Sequence, residues 1–149
     1  MKQSLLAILL LVSTSAFADQ SCNPVTGHFE ASVIFPGAPF PDGSGNCPSA
    51  ILCTAGRVWG GIQGHYRFVM TTLQPTGAVP SIFFFTGNST VTLDNGSIIS
   101  GTDTGTIDLG PFGGFASLIT FGTTGQIRLR GELANGTTSG DYTGTLCGQ

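Results

Sequence analysis

The side chains best equipped for chemistry fall within a short stretch: Arg57 and Trp59, then His65-Tyr66-Arg67. An imidazole can move a proton near neutral pH, a guanidinium can hold an anion or an enolate, and an indole can stack on a flat ligand. In an extended strand His65 and Arg67 share one face, and Tyr66 and Phe68 share the other. If the polar face turns into a barrel, His65 and Arg67 are candidate catalytic residues, with Arg57, Trp59 and Tyr66 as ligand contacts. If it turns outward, Tyr66 and Phe68 are core and the polar residues are solvated surface, which is the commoner arrangement.

Other candidates are weaker. Asp103-Thr104-Gly105 matches the triplet of aspartic proteases, in which two carboxyls share a proton to activate water. Here it occurs once, after Ser100-Gly101-Thr102 and not after an apolar strand, so a strand residue beside a turn is the simpler reading. Glu30 and Glu132 would form a carboxylate pair only if their strands meet. Phe112 and Phe115, with Phe83-Phe84-Phe85, could line an apolar ligand pocket, because small-molecule sites are concave and mostly apolar. Core packing is the simpler account.

Four cysteines, Cys22, Cys47, Cys53 and Cys147, make an even set, read as two disulfides with three possible pairings. Cys53 stands just before one strand and Cys147 ends another, which favours Cys53–Cys147 with Cys22–Cys47. Cys22–Cys147 with Cys47–Cys53 remains open. A zinc site is not expected, since the spacings are not Cys-x-x-Cys and His28 and His65 add no ligand cluster. No cofactor motif occurs.

These residues must be positioned by strands, because helical periodicity is nearly absent after residue 18. Extended segments are expected at 28–35, 57–72, 81–93, 97–109, 115–121, 126–133 and 141–147. Gly60, Gly61 and Gly64 bend or divide the second of these. Asp94-Asn95-Gly96 is the clearest hairpin turn. In residues 126–133, Ile127, Leu129 and Leu133 face one way, and Arg128, Arg130 and Glu132 the other. An irregular loop spans about 36–52, where Pro36, Pro39, Pro41 and Pro48 remove donors and fix turns. About eight antiparallel strands joined by short turns need either two packed sheets or one closed sheet, and an all-β, up-and-down barrel is favoured over a sandwich, since closure removes exposed edges.

The start of the chain reads as a signal peptide: Lys2, an apolar run over residues 5–12, then Ala16-Phe17-Ala18, with cleavage expected after Ala18. That leaves one domain over 19–149, exported to a periplasmic or extracellular compartment, and the apolar run is too short for a membrane anchor. This exported part has no lysine and sets four arginines against eight acidic residues. Nucleic acid is therefore not expected as a partner, because phosphates demand a basic footprint. Asn88, Asn95 and Asn135 begin Asn-x-Ser/Thr triplets; the compact leader resembles a bacterial one, in which setting they carry no sugar.

The segments Phe85-Thr86-Gly87-Asn88-Ser89-Thr90-Val91-Thr92-Leu93, Gly101-Thr102-Asp103-Thr104-Gly105-Thr106-Ile107-Asp108 and Gly140-Asp141-Tyr142-Thr143-Gly144-Thr145-Leu146-Cys147 resemble the dirigent and allene oxide cyclase-like barrels. The likeness covers about residues 53–147 and rests on Gly and Thr at scaffold positions. It implies an eight-stranded, calycin-like barrel that holds apolar small molecules and in some members steers or catalyses their cyclisation. No catalytic residue transfers with it. The expected function is binding of a small apolar ligand or a partner surface without catalysis, with a barrel cyclase or isomerase as the alternative. A pilin-like structural subunit ranks third, since the end Leu146-Cys147-Gly148-Gln149 lacks the alternating donor strand.

Overall fold

A computed structural model describes residues 21–48, 51–111 and 113–148. The expected signal segment and its Ala18 cleavage site lie outside the described residues. Eight strands follow in order: β1 (Cys22–Ile34), β2 (Cys53–Gly60), β3 (Gly64–Pro75), β4 (Ile82–Leu93), β5 (Ile98–Asp108), β6 (Gly114–Thr120), β7 (Gly125–Ala134) and β8 (Thr137–Cys147). A single 3-10 turn at Gly122–Thr124 separates β6 from β7. Each strand pairs antiparallel with the next, and β1 pairs with β8, so the meander closes into a barrel.

The turns form where the residues permit them. Gly96 has φ +86° and its amide donates to the Leu93 carbonyl at 2.8 Å, while Asn95 Oδ1 accepts from the Ser97 amide at 2.9 Å. At the β7–β8 hairpin, Asn135 and Gly136 both take positive φ, the conformation that a tight two-residue hairpin demands. The long segment expected at 57–72 divides in two, because Gly60 adopts φ +110° and the chain reverses over residues 61–63. The first strand begins six residues earlier than expected. Its N-terminal part carries Asn23, Pro24 and Thr26 with little apolar alternation, and it is extended because β8 pairs with it from Cys22↔Cys147 to Ser32↔Thr137.

The core occupies the lumen. Phe29, Val58, Tyr66, Phe68, Met70, Phe85, Val91, Ile107, Ile119, Ile127, Leu129 and Tyr142 are buried there, one to three from each strand at alternate positions. Apolar lumen and polar exterior reverse the pattern of a transmembrane barrel. One end is tied off by Tyr142, whose hydroxyl accepts from the Ile62 amide at 2.7 Å and donates to the Ile62 carbonyl at 3.3 Å.

The disulfides correct the favoured pairing: the bonds are Cys22–Cys147 and Cys47–Cys53. Cys22 and Cys147 stand directly opposite across the β1–β8 seam, a register that only closure creates. Cys53 starts β2 at the other end of the barrel, so it cannot reach Cys147 and instead anchors the irregular loop through Cys47. That loop packs on the outside of the barrel, where Phe40 and Cys47 bury Cys53 and Ala55 in a small second cluster.

Candidate functional site

Alternation along β3 (Gly64–Pro75) buries Tyr66, Phe68 and Met70 and turns His65 and Arg67 outward. The reading that needed His65 and Arg67 inside the barrel is therefore corrected. The lumen selects the apolar phase of the strand, and the charged phase takes the water-facing side. Arg57 Nη1 lies 3.2 Å from His65 Nε2, and Arg57 Nη2 lies 3.6 Å from Asp94 Oδ1, all on the exposed face. Arg67 donates to Ser44 Oγ at 2.7 Å and sits 4.9 Å from the Phe40 ring centroid. Its guanidinium thus holds the outer loop. Trp59 is also outside, tilted against His28, which pairs with Asp141.

Glu30 and Glu132 are brought to the same outer face, both opposite Ser139 of β8 (Thr137–Cys147), with that strand between them. Asn95 and Asn135 lie in turns, whereas Asn88 lies mid-strand on the outer face of β4 (Ile82–Leu93). Of the expected ligand contacts only Tyr66 and Phe115 face the lumen, and Phe112 lies outside the described residues.

The lumen holds a different polar centre. Asp103 on β5 (Ile98–Asp108) is 2% exposed, and Ser89 on β4 is fully buried. Ser89 Oγ donates to Asp103 Oδ2 at 2.9 Å. Tyr66 Oη lies 3.2 Å from Ser89 Oγ; the serine proton is committed to the carboxylate, so Tyr66 is the donor. A relay therefore runs from Tyr66 through Ser89 to Oδ2, while Oδ1 has no hydrogen-bond partner among the described residues. Burial pushes the Asp103 carboxyl above its ordinary value, and the hydroxyls of Ser117 and Ser89 pull it back down in part. Burial, then the nearby Asp103 charge, drive the Tyr66 phenol upward, so it stays protonated.

Asp103 faces a cavity with about 50 Å³ open to the centre of a water molecule, lined chiefly by Phe29, Tyr66, Phe68, Phe85 and Phe115. Val33, Leu52, Leu133 and Thr138 surround it towards the end where β1 (Cys22–Ile34) runs into the irregular loop. The lumen nearer the Tyr142 end is packed down to a void of about 20 Å³. Edge-to-face contacts set the aromatic wall, with Phe68 and Phe85 centroids 5.5 Å apart and Phe29 and Phe115 5.7 Å apart.

A motif search misdirects at Asp103, because Asp103-Thr104-Gly105 points to a protease, whereas the residue stands buried in mid-strand and not beside a turn. A period-two reading of β5 finds it: Ile99, Gly101, Asp103, Gly105 and Ile107 share one phase, so the carboxyl lies on the isoleucine face. Among the described residues no group of three metal-ligating side chains converges.

No family model, curated protein or solved structure matches this chain.

Proposed function

We propose that this chain is a dirigent-like exported barrel that binds a small apolar ligand in the lumen beside Asp103 and performs no reaction on it. The observation that carries the reading is Asp103 Oδ1, a buried carboxylate oxygen without a partner, facing an aromatic cavity. A buried polar atom left unpaired costs about 1–3 kcal/mol, and a ligand hydrogen bond would recover it. The two disulfides fit an oxidising, exported location. The likeness to dirigent barrels rests on the Gly/Thr segments and is supported by the closed eight-stranded antiparallel architecture.

Catalysis through His65 and Arg67 has no support from side chains on the outer face. A strand-exchanging subunit needs an open edge, and the β1–β8 seam is paired along its length. A partner surface has one observation in its favour: Phe35, Ile51, Val79 and Leu109 are exposed in loops at the cavity end.

Amide chemical-shift titration of the mature protein with small apolar compounds tests the ligand reading. Shifts should cluster on lumen residues around Phe85 and Asp103, and filling the cavity with Ser117→Leu should abolish them. Absence of binding at millimolar concentrations throughout the panel, or shifts only at Phe35, Ile51 and Leu109, would refute the ligand reading.

A further inference from the structure

We infer that the lumen site takes a small apolar amine, held as its cation with the ammonium against Asp103 Oδ1 and the hydrocarbon part among the aromatic rings. This deepens, and rests on, the small-molecule reading above.

The first argument is charge. Among the described residues lining the cavity, Asp103 is the sole acid and there is no base; Tyr66 is the other titratable side chain. Arg57, Arg67, Arg128 and Arg130 all lie on outward phases of their strands, and residues 19–149 contain no lysine. A carboxylate enclosed by phenyl rings without a counter-charge is costly; a retained proton relieves that cost at low pH, and once the proton is lost an incoming cation is the group that compensates it.

Donor accounting gives the second. Oδ2 already accepts from Ser89, and Tyr66 spends its proton on Ser89. The Ser117 hydroxyl also acts on the carboxyl from nearby, yet Oδ1 has no hydrogen-bond partner among the described residues and stays open. A neutral alcohol would supply a hydrogen bond to Oδ1 without neutralising the charge. An ammonium supplies both, in a charge-assisted hydrogen bond about twice as strong as a neutral one. Its remaining N–H groups have hydroxyl acceptors in the lining at Thr54, Ser117 and Thr138.

The third argument is the wall. Phe29, Tyr66, Phe68, Phe85 and Phe115 surround the carboxyl, and a desolvated cation near aromatic faces gains roughly 0.5–2 kcal/mol from the ring quadrupoles. The volume of about 50 Å³ is well below the roughly 150 Å³ of an enclosed cavity that takes benzene, so it favours a short-chain amine, and a single ring would have to project beyond it.

The test compares isosteres that differ only at the head group: benzylamine, benzyl alcohol and toluene, with butylamine and butanol as a smaller pair, each titrated into the mature protein and read by amide chemical shifts. Within each set the amine should bind about tenfold or more tighter than its alcohol. Asp103→Asn should erase that preference while retaining toluene. Tighter binding of the alcohol or hydrocarbon to the wild-type protein overturns the amine inference and leaves the small-molecule reading standing. An amine preference that survives in D103N also overturns it, because the cation would then sit elsewhere. If none of the five compounds binds, both readings fall. Should D103N not fold, the wild-type ratio of amine to alcohol still decides.

Discussion

Ser89 Oγ donates to Asp103 Oδ2 across a diagonal of the β4–β5 pair, at 2.9 Å. The residues directly opposite each of them are glycines, Gly101 facing Ser89 and Gly87 facing Asp103. With no side chain on either glycine, the hydroxyl and the carboxyl can reach each other inside the sheet. A Cβ at Gly87 would run into the Phe68 ring and the Val69 carbonyl, so the position is closed to larger residues.

Burial raises the Asp103 carboxyl above its ordinary value of 3.8, and this sets a pH dependence. The folded state holds the Asp103 proton more tightly than the unfolded chain, so the stability from this group is complete below 3.8 and is lost as pH rises through the raised folded value. Asp103→Asn keeps an acceptor for Ser89 and removes the titration. In urea unfolding, the advantage of D103N over wild type should grow from pH 4 to pH 8. Parallel pH profiles for the two proteins would show that the buried carboxyl does not titrate in this window.

The two disulfides should contribute unequally. Cys22–Cys147 joins residues 125 apart and Cys47–Cys53 residues 6 apart. In the chain-entropy model that corresponds to roughly 5 and about 2 kcal/mol respectively. Paired serine substitutions at each bond, followed by chemical denaturation, should give the larger loss at the β1–β8 seam. The reverse order would mean that the outer loop, not the seam, limits stability.

Tyr142→Phe tests the closed end. The hydroxyl both accepts from the Ile62 amide and donates to its carbonyl, and phenylalanine leaves both buried groups unpaired. A loss of about 1–3 kcal/mol is expected from thermal or urea unfolding. A variant as stable as wild type would mean that water reaches Ile62 in the altered protein.

Arg67→Ala should leave lumen binding unchanged and loosen the outer loop. Its guanidinium bonds Ser44 and caps Phe40, and it also lowers the Asp42 carboxyl, though less than the Ser44 hydroxyl and amide do. Limited proteolysis should cut within residues 36–46 faster in R67A than in wild type. His65→Ala should likewise bind lumen ligands normally. Weakened binding in either variant would restore a functional role to the outer face.

Much of the architecture is legible in residue order because it is local. Period-two alternation at Ile127, Leu129 and Leu133 fixes which phase is buried, and Asp94-Asn95-Gly96 and Asn135-Gly136 set turns by their own backbone preferences. Short turns between such strands then imply a meander, and an even cysteine set following an expected export signal implies two bonds. Asp103 was recoverable too, from its phase with Ile99 and Ile107, although the triplet it begins points to a protease instead.

Closure belongs to the tertiary structure. Cys22 and Cys147 become neighbours only because β1 meets β8, 125 residues away in sequence, and strand alternation carries no information about which distant edge a strand joins. The same closure decides that the lumen takes Tyr66 and leaves His65 and Arg67 in water. Both phases of β3 contain groups that could bind a ligand, and what selects between them is the cost of enclosing charge against the gain of enclosing rings. The sequence alone determines an alternating, disulfide-bonded β chain; the fold decides which phase of each strand is enclosed, and with it that Asp103 is the buried acid among the described residues.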